Sequence, residues 1–165
     1  MYSQRDLRWS WQYVGTSNRT ILRVGCLLTC FAQLLTNHGH GFTPAQLNKY
    51  FKLTRRYIQT NILNDNAIEI INPKIKHIGS VVYPKQPVNL SLLECEPGEE
   101  IILKVDYNND PKDGEQRHFV LLKSWDGHDT VRIADPIGGC VGNFKDRYGD
   151  PRYNILKIIK YAFKE

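Results

Sequence analysis

The chain changes its hydrophobic rhythm once, near Pro73, and that change constrains what it can fold into. Before it, apolar residues recur at helical spacing. After it come short β-type runs separated by turn signals. Helices first and antiparallel strands after make an α+β arrangement.

In the first part, Leu27, Cys30, Phe31, Leu34 and Leu35 share one face of a helix over residues 26–37, which His38-Gly39-His40-Gly41 ends. Thr43-Pro44 reads as an N-cap and a first-turn proline, opening a short helix with Leu47, Tyr50 and Phe51 on its apolar face. A third helix is predicted within residues 56–71, with Asn64-Asp65-Asn66 as a break point. Residues 1–24 read as irregular. Their aromatic patch, Trp9, Trp11 and Tyr13, lines a cleft or covers a core edge. In the second part strands are expected over 75–83, 100–107, 118–125, 130–134 and 153–161. Asp126-Gly127-His128-Asp129 is a hairpin signal between the third and fourth.

With 165 residues and 41% hydrophobic content, the chain suits one compact domain over residues 1–165 and is too apolar for disorder. The net charge of +5 points only weakly to an anionic partner. The Lys and Arg are spread along the chain, often near acids, so a solvated surface is expected and nucleic-acid binding is not. No stretch reaches the ~18–20 apolar residues of a membrane span. Residues 1–20 hold no signal-peptide core, so a soluble protein is expected, cytoplasmic or released by another route.

Cys26, Cys30, Cys95 and Cys140 include no C-x-x-C pair, and reduced thiols are expected. Cys30, Cys95 and Cys140 read as structural. His38 and His40 with the cysteines match no common zinc spacing, and no metal or other cofactor is called for.

Cys26 opens the first helix, where free N–H groups and partial positive charge favour a thiolate. His118 starts the third strand and Asp135 ends the fourth. If those strands pair through the 126–129 turn, His118 and Asp135 become neighbours at one sheet end, as a base and its orienting carboxylate must be. Taken singly, each has a plainer reading: Cys26 as core, His118 as a strand-end histidine, Asp135 as a turn former before Pro136. Together they read as a nucleophile, base and orienter for acyl chemistry. The backbone N–H of Cys26 and a Gln side-chain amide are the candidate oxyanion donors.

Tyr2-Ser3-Gln4-Arg5-Asp6-Leu7-Arg8-Trp9, Gly25-Cys26, Thr43-Pro44, Arg117-His118-Phe119-Val120 and Ala134-Asp135-Pro136-Ile137-Gly138-Gly139 together resemble the C39-like peptidases. These are papain-like cysteine peptidases related to the leader-cleaving domains of bacteriocin export transporters. The resemblance spans residues 2–140 in the right order. It implies a papain-like α+β fold, with the nucleophile helix packed on an antiparallel sheet. It also implies Cys26 as nucleophile, His118 as base, Asp135 as third member and Gln4 as oxyanion-hole glutamine. Leu27-Leu28 departs from the family's small residues after the nucleophile, which changes the packing under the thiol and narrows the cleft.

The expected activity is cysteine peptidase or amidase hydrolysis. The substrate is a peptide or a peptidoglycan stem peptide, the latter suiting a phage-encoded lysin. The alternatives are an inactive papain-like module that binds peptides or proteins, and an acyl transferase using the same triad.

Overall fold

The computed structural model describes residues 1–82, 87–107 and 117–164. Four short elements surround or follow the main ones. In chain order the elements are α1 (Ile21–Val24), α2 (Cys26–Asn37), α3 (Pro44–Leu53), β1 (Ile75–Val82), β2 (Glu99–Asp106), β3 (Arg117–Trp125), β4 (Val131–Asp135), β5 (Cys140–Asn143), α4 (Phe144–Tyr148), α5 (Pro151–Asn154) and β6 (Ile155–Phe163). The strands form one antiparallel sheet in the order β1-β6-β2-β3-β4-β5. Helices ahead of an antiparallel sheet is the α+β layout expected from the change of rhythm at Pro73.

Alternation along the strands gives the sheet two buried faces. Ile102, Leu121, Ala134, Ile159 and Tyr161 pack beneath Phe31, Leu34 and Leu35 of α2 and Leu47 and Phe51 of α3. Ile101, Leu103, Val120, Leu122 and Ile133 face the other way, toward Phe144 and Tyr148 of α4. The 126–129 hairpin forms as read. Gly127 takes a positive φ of 84°, and the Asp126 carboxylate accepts from the N–H groups of His128 and Thr130.

α2 and α3 lie over the predicted residues. Thr43 and Gln46 close a capping box at the start of α3. Gly25 joins α1 to α2 where no side chain fits: a Cβ there would lie 2.6 Å from both Ile21 Cγ2 and Ile21 O. This close approach puts Cys26 at the first position of α2.

Residues 56–71 do not form the predicted helix. Ile58 and Ile62 have helical spacing, but the Ile58 N–H donates to the Ile62 carbonyl across a loop. Tyr57 and Leu63 form an isolated antiparallel bridge, and only Ala67–Ile70 winds, as a 3-10 turn. The Thr60 carbonyl is drawn away to accept from Thr16 N–H, a tertiary contact that outweighs local periodicity. The last strand starts at Ile155, later than expected, because Asp150 caps α5 ahead of it. α1, β5, α4 and α5 have four or five residues each, too few to carry a periodic signal. Position 83, the expected end of the first strand, lies outside the described residues. Trp9 is buried, with its indole N–H on the Ser3 carbonyl, whereas Trp11 and Tyr13 are exposed, so the patch covers a core edge through Trp9. Cys95 is exposed and not a packed structural residue. Among the described residues no helix is long and apolar enough to cross a membrane.

Candidate active site

Three elements meet where α2 begins. Leu121 pairs with Ala134, which brings the start of β3 and the end of β4 to one end of the sheet. His118 shares the face of Val120 and Leu122, and Asp135 that of Ile133, by the two-residue alternation. His118 Nε2 lies 3.0 Å from Asp135 Oδ1, and both residues are buried. A carboxylate only accepts, so Nε2 carries the proton of that bond and Nδ1 is left for the thiol. Cys26 is buried, and its thiol interacts with the His118 side chain. The structure thus brings Cys26, His118 and Asp135 together in the order thiol, imidazole, carboxylate.

Two cysteines one turn apart on α2 show that the partner, not burial, decides the thiol's state. Burial pushes the Cys26 thiol up, but the His118 side chain and the N–H groups of Phe119 and Leu27 outweigh it and hold the thiol below its ordinary value. Cys30 is equally enclosed. Burial pushes its pKa well up, and the negative charges of Cys26 and Asp135 push it further. Its Sγ donates to the Phe119 carbonyl at 3.4 Å. Burial also opposes charge on His118, yet Asp135 and Cys26 together raise the imidazole to about 9. Both shifts favour the thiolate–imidazolium pair over the same two groups held apart.

Asp135 has more partners than the triad requires. Oδ1 accepts from His118 and from the Ile137 N–H at 2.9 Å. Oδ2 accepts from the Tyr148 hydroxyl at 2.6 Å and from Arg147 Nη1 at 2.8 Å. Burial alone would raise the carboxyl; the hydrogen bonds from His118 and Tyr148 lead the opposing effects and hold it well below the usual carboxylate range. Arg147 and Tyr148 were not among the residues read from the sequence. Their one signal is the Phe144/Tyr148 spacing behind the Asn143 cap, one turn of helix with nothing to mark its function. Arg147 Nη2 also donates to Cys140 Sγ at 2.8 Å, so Cys140 is half-buried against a guanidinium.

Gln4 is brought to the same place by the N-terminal strap. Its N–H donates to the Pro136 carbonyl at 2.8 Å, just after Asp135. Gly139, at φ 62°, lets the strap pass, since a Cβ there would lie 3.1 Å from Met1 O and Ser3 Cβ. Gln4 Nε2 donates to the Leu22 carbonyl at 2.8 Å, while the buried Oε1 has no partner among the described residues. Turning the amide over would set its oxygen against the Leu22 carbonyl, two acceptors face to face. The amide is therefore fixed, and among the described residues its second N–H has no acceptor. The backbone N–H of Cys26, as the first residue of α2, has no acceptor one turn behind it within the helix.

Gln4, Cys26 and His118 all line one cleft of about 980 Å³. Leu27 and Leu28 reach its wall from below the thiol. His38 and His40 point to different partners, His38 to Glu100 and His40 to Asn72, and contribute nothing here.

No family model, curated protein or solved structure matches the chain.

Proposed function

We propose that this chain is a cysteine peptidase or amidase of papain-like fold and C39-like family, hydrolysing peptide bonds through Cys26, His118 and Asp135. One observation carries the reading: a buried thiol at a helix start interacts with a histidine that is itself held by a buried carboxylate at 3.0 Å. The nucleophile helix lying on an antiparallel sheet supports the papain-like assignment. The strap that brings Gln4 beside the 136–139 turn supports its place in the site.

The roles follow from the geometry. The Cys26 thiolate attacks the carbonyl carbon, and the carbonyl π pair becomes an oxyanion. The Cys26 N–H and the second Nε2–H of Gln4 are the donors for that charge. As the C–N bond breaks, imidazolium His118 gives its proton to the departing amine, and a thioester remains. Neutral His118 then takes a proton from water, whose oxygen attacks the thioester. The C–S bond breaks, the acid leaves, and the thiolate–imidazolium pair is restored. Asp135 holds the ring orientation throughout and stays ionised.

Peptide substrates incubated with the protein should yield products heavier in sum by one water per bond cut, read by mass spectrometry. Cys26→Ser and His118→Ala should each lower turnover by at least ~10³-fold. Joined peptides in place of hydrolysed ones would make the chain an acyl transferase. Equal, slow iodoacetamide labelling of all four cysteines near pH 6 would leave only a binding module. A cell-wall substrate predicts clearing of purified walls in a turbidity assay. Cleavage of soluble peptides without clearing would remove that variant.

A further inference from the structure

The cleft that holds Cys26 also collects the molecule's charge. Among the described residues, Arg5, Arg19, Arg23, Lys104, Arg117 and Lys157 line it, against one acid, Asp65. Taking those six from the chain's 22 basic residues and that one from its 17 acidic residues leaves sixteen of each. The described lining therefore carries an excess of five positive charges, equal in size to the net charge of the whole chain. Along the sequence these residues are far apart and look like ordinary surface charge. The fold gathers them.

Three of the six have no carboxylate partner among the described residues. Lys157 is paired with Asp65. Arg5, Arg19 and Arg23 are exposed, and among the described residues none of their side chains has an ion-pair partner. Arg23 belongs to α1, the short helix that ends at Gly25 just ahead of the nucleophile, and Arg5 follows Gln4 on the strap. Between these cations lie apolar side chains that remain open: Leu22 is 46% exposed, Ile58 62% and Ile62 47%. Clustered like charges in a concave site cost self-repulsion unless an anion relieves it, and such a site concentrates anionic ligands.

We propose that the cleft binds an acidic peptide segment. Its side-chain carboxylates would face Arg5, Arg19 and Arg23, and an apolar residue between them would cover Leu22, Ile58 and Ile62. A nucleic acid is the poorer fit, because base stacking uses a run of exposed aromatic platforms, whereas Leu22, Ile58 and Ile62 are aliphatic and Tyr107 is the one exposed aromatic side chain among the described lining residues. The proposal rests on the hydrolase reading, since it treats the cleft as the approach to Cys26.

The test follows alkylation of Cys26 by mass spectrometry near pH 6.5, with Cys95 as the internal control. Reaction with iodoacetamide forms a C–S bond and releases iodide, so it reports the thiolate without needing a substrate. Three ten-residue peptides, matched around one central Leu and differing only in acidic, uncharged or basic flanks, compete for the cleft. The acidic peptide should protect Cys26 at about tenfold lower concentration than the basic one, and added salt should shrink the difference. Iodoacetate, the anionic reagent, should gain several-fold relative to iodoacetamide at Cys26 compared with Cys95. The Arg19→Glu/Arg23→Glu double variant should lose both preferences. If Cys26 reacts fast but neither peptide charge nor reagent charge matters, the acidic-substrate proposal is overturned and the hydrolase reading stands. If Cys26 reacts no faster than Cys95, both fall. The wild-type reagent ratio remains decisive should the double variant not fold.

Discussion

The two ends of the candidate triad are built on opposite principles. At the closed end, Asp135 is buried and accepts four hydrogen bonds, from His118, Ile137, Arg147 and Tyr148. At the open end, Gln4 spends one N–H on the Leu22 carbonyl and its buried oxygen has no partner among the described residues, while the cleft beyond it is lined by Arg5, Arg19 and Arg23, which have no ion-pair partner among them either. An unmade buried hydrogen bond costs about 1–3 kcal/mol, so the open end is the locally less stable one. Saturation holds an imidazole in one orientation. Unspent donors are what a transient oxyanion and an incoming ligand require. The difference separates a region built to stay fixed from one built to receive.

The sharpest break at the closed end is Asp135→Asn. The amide keeps the size of the carboxylate but presents either an oxygen or an N–H to His118, and it cannot carry the charge that favours imidazolium. Turnover of a cleaved peptide should fall by roughly 10³-fold or more. The alkylation profile of Cys26 should move to higher pH, because the His118 charge that lowers the thiol would itself be weakened. Turnover within tenfold of wild type would mean that the four hydrogen bonds serve only the fold.

At the open end, Gln4→Ala should lower turnover by about 10²-fold while leaving the iodoacetamide rate of Cys26 nearly unchanged. Alkylation forms no oxyanion, so the two readouts separate a donor to the reaction from a prop for the thiol. Stability should change little, since the substitution removes an unpaired oxygen along with one hydrogen bond. Equal losses in both rates would recast Gln4 as a packing residue.

The contrast also explains what could be read from the sequence. Cys26, His118 and Asp135 were legible because each sits at the end of an element, and the Asp126-Gly127 turn sets the register that joins two of them. α2, α3 and the runs of the sheet were legible from their length and period. The loop over 56–66 was not, because Ile58 and Ile62 imitate a helix face while Thr60 is committed to Thr16. Arg147 and Tyr148 were not, because a helix of five residues has no period to read and Asp135 lies 12 and 13 residues away. The charge of the cleft was not, because it is assembled from a strap, a short helix, two adjacent strands and β6. What escaped the sequence is what depends on tertiary placement alone.

The smallest expected effect isolates the closed end without touching the triad. Tyr148→Phe removes one hydroxyl from Asp135 Oδ2 and leaves the ring packed beside Phe144. A hydrogen bond to a charged acceptor contributes about 1.5–3 kcal/mol, so the loss of stability near neutral pH should fall in that range. Turnover should drop only a few-fold, because Arg147, Ile137 and His118 still hold the carboxylate. The pH dependence has a definite sign. The folded-state pKa of Asp135 lies well below its ordinary 3.8, so the carboxylate contributes stability that is present above that value and lost as pH falls through the folded-state one. Removing the Tyr148 donor raises the folded-state pKa, so the acid limb of the stability curve should shift to higher pH. His118 acts in the opposite direction. Raised from 6.5 to about 9, it contributes stability that is complete below its ordinary value and lost as pH rises through about 9. Tyr148→Phe should leave that alkaline limb nearly in place. Urea midpoints across about pH 2 to 10 would check both limbs at once. A uniform loss at every pH would show that the Tyr148 hydroxyl does not distinguish the charged from the neutral carboxyl, and that the saturation of Asp135 is a consequence of the fold with no hold on its charge.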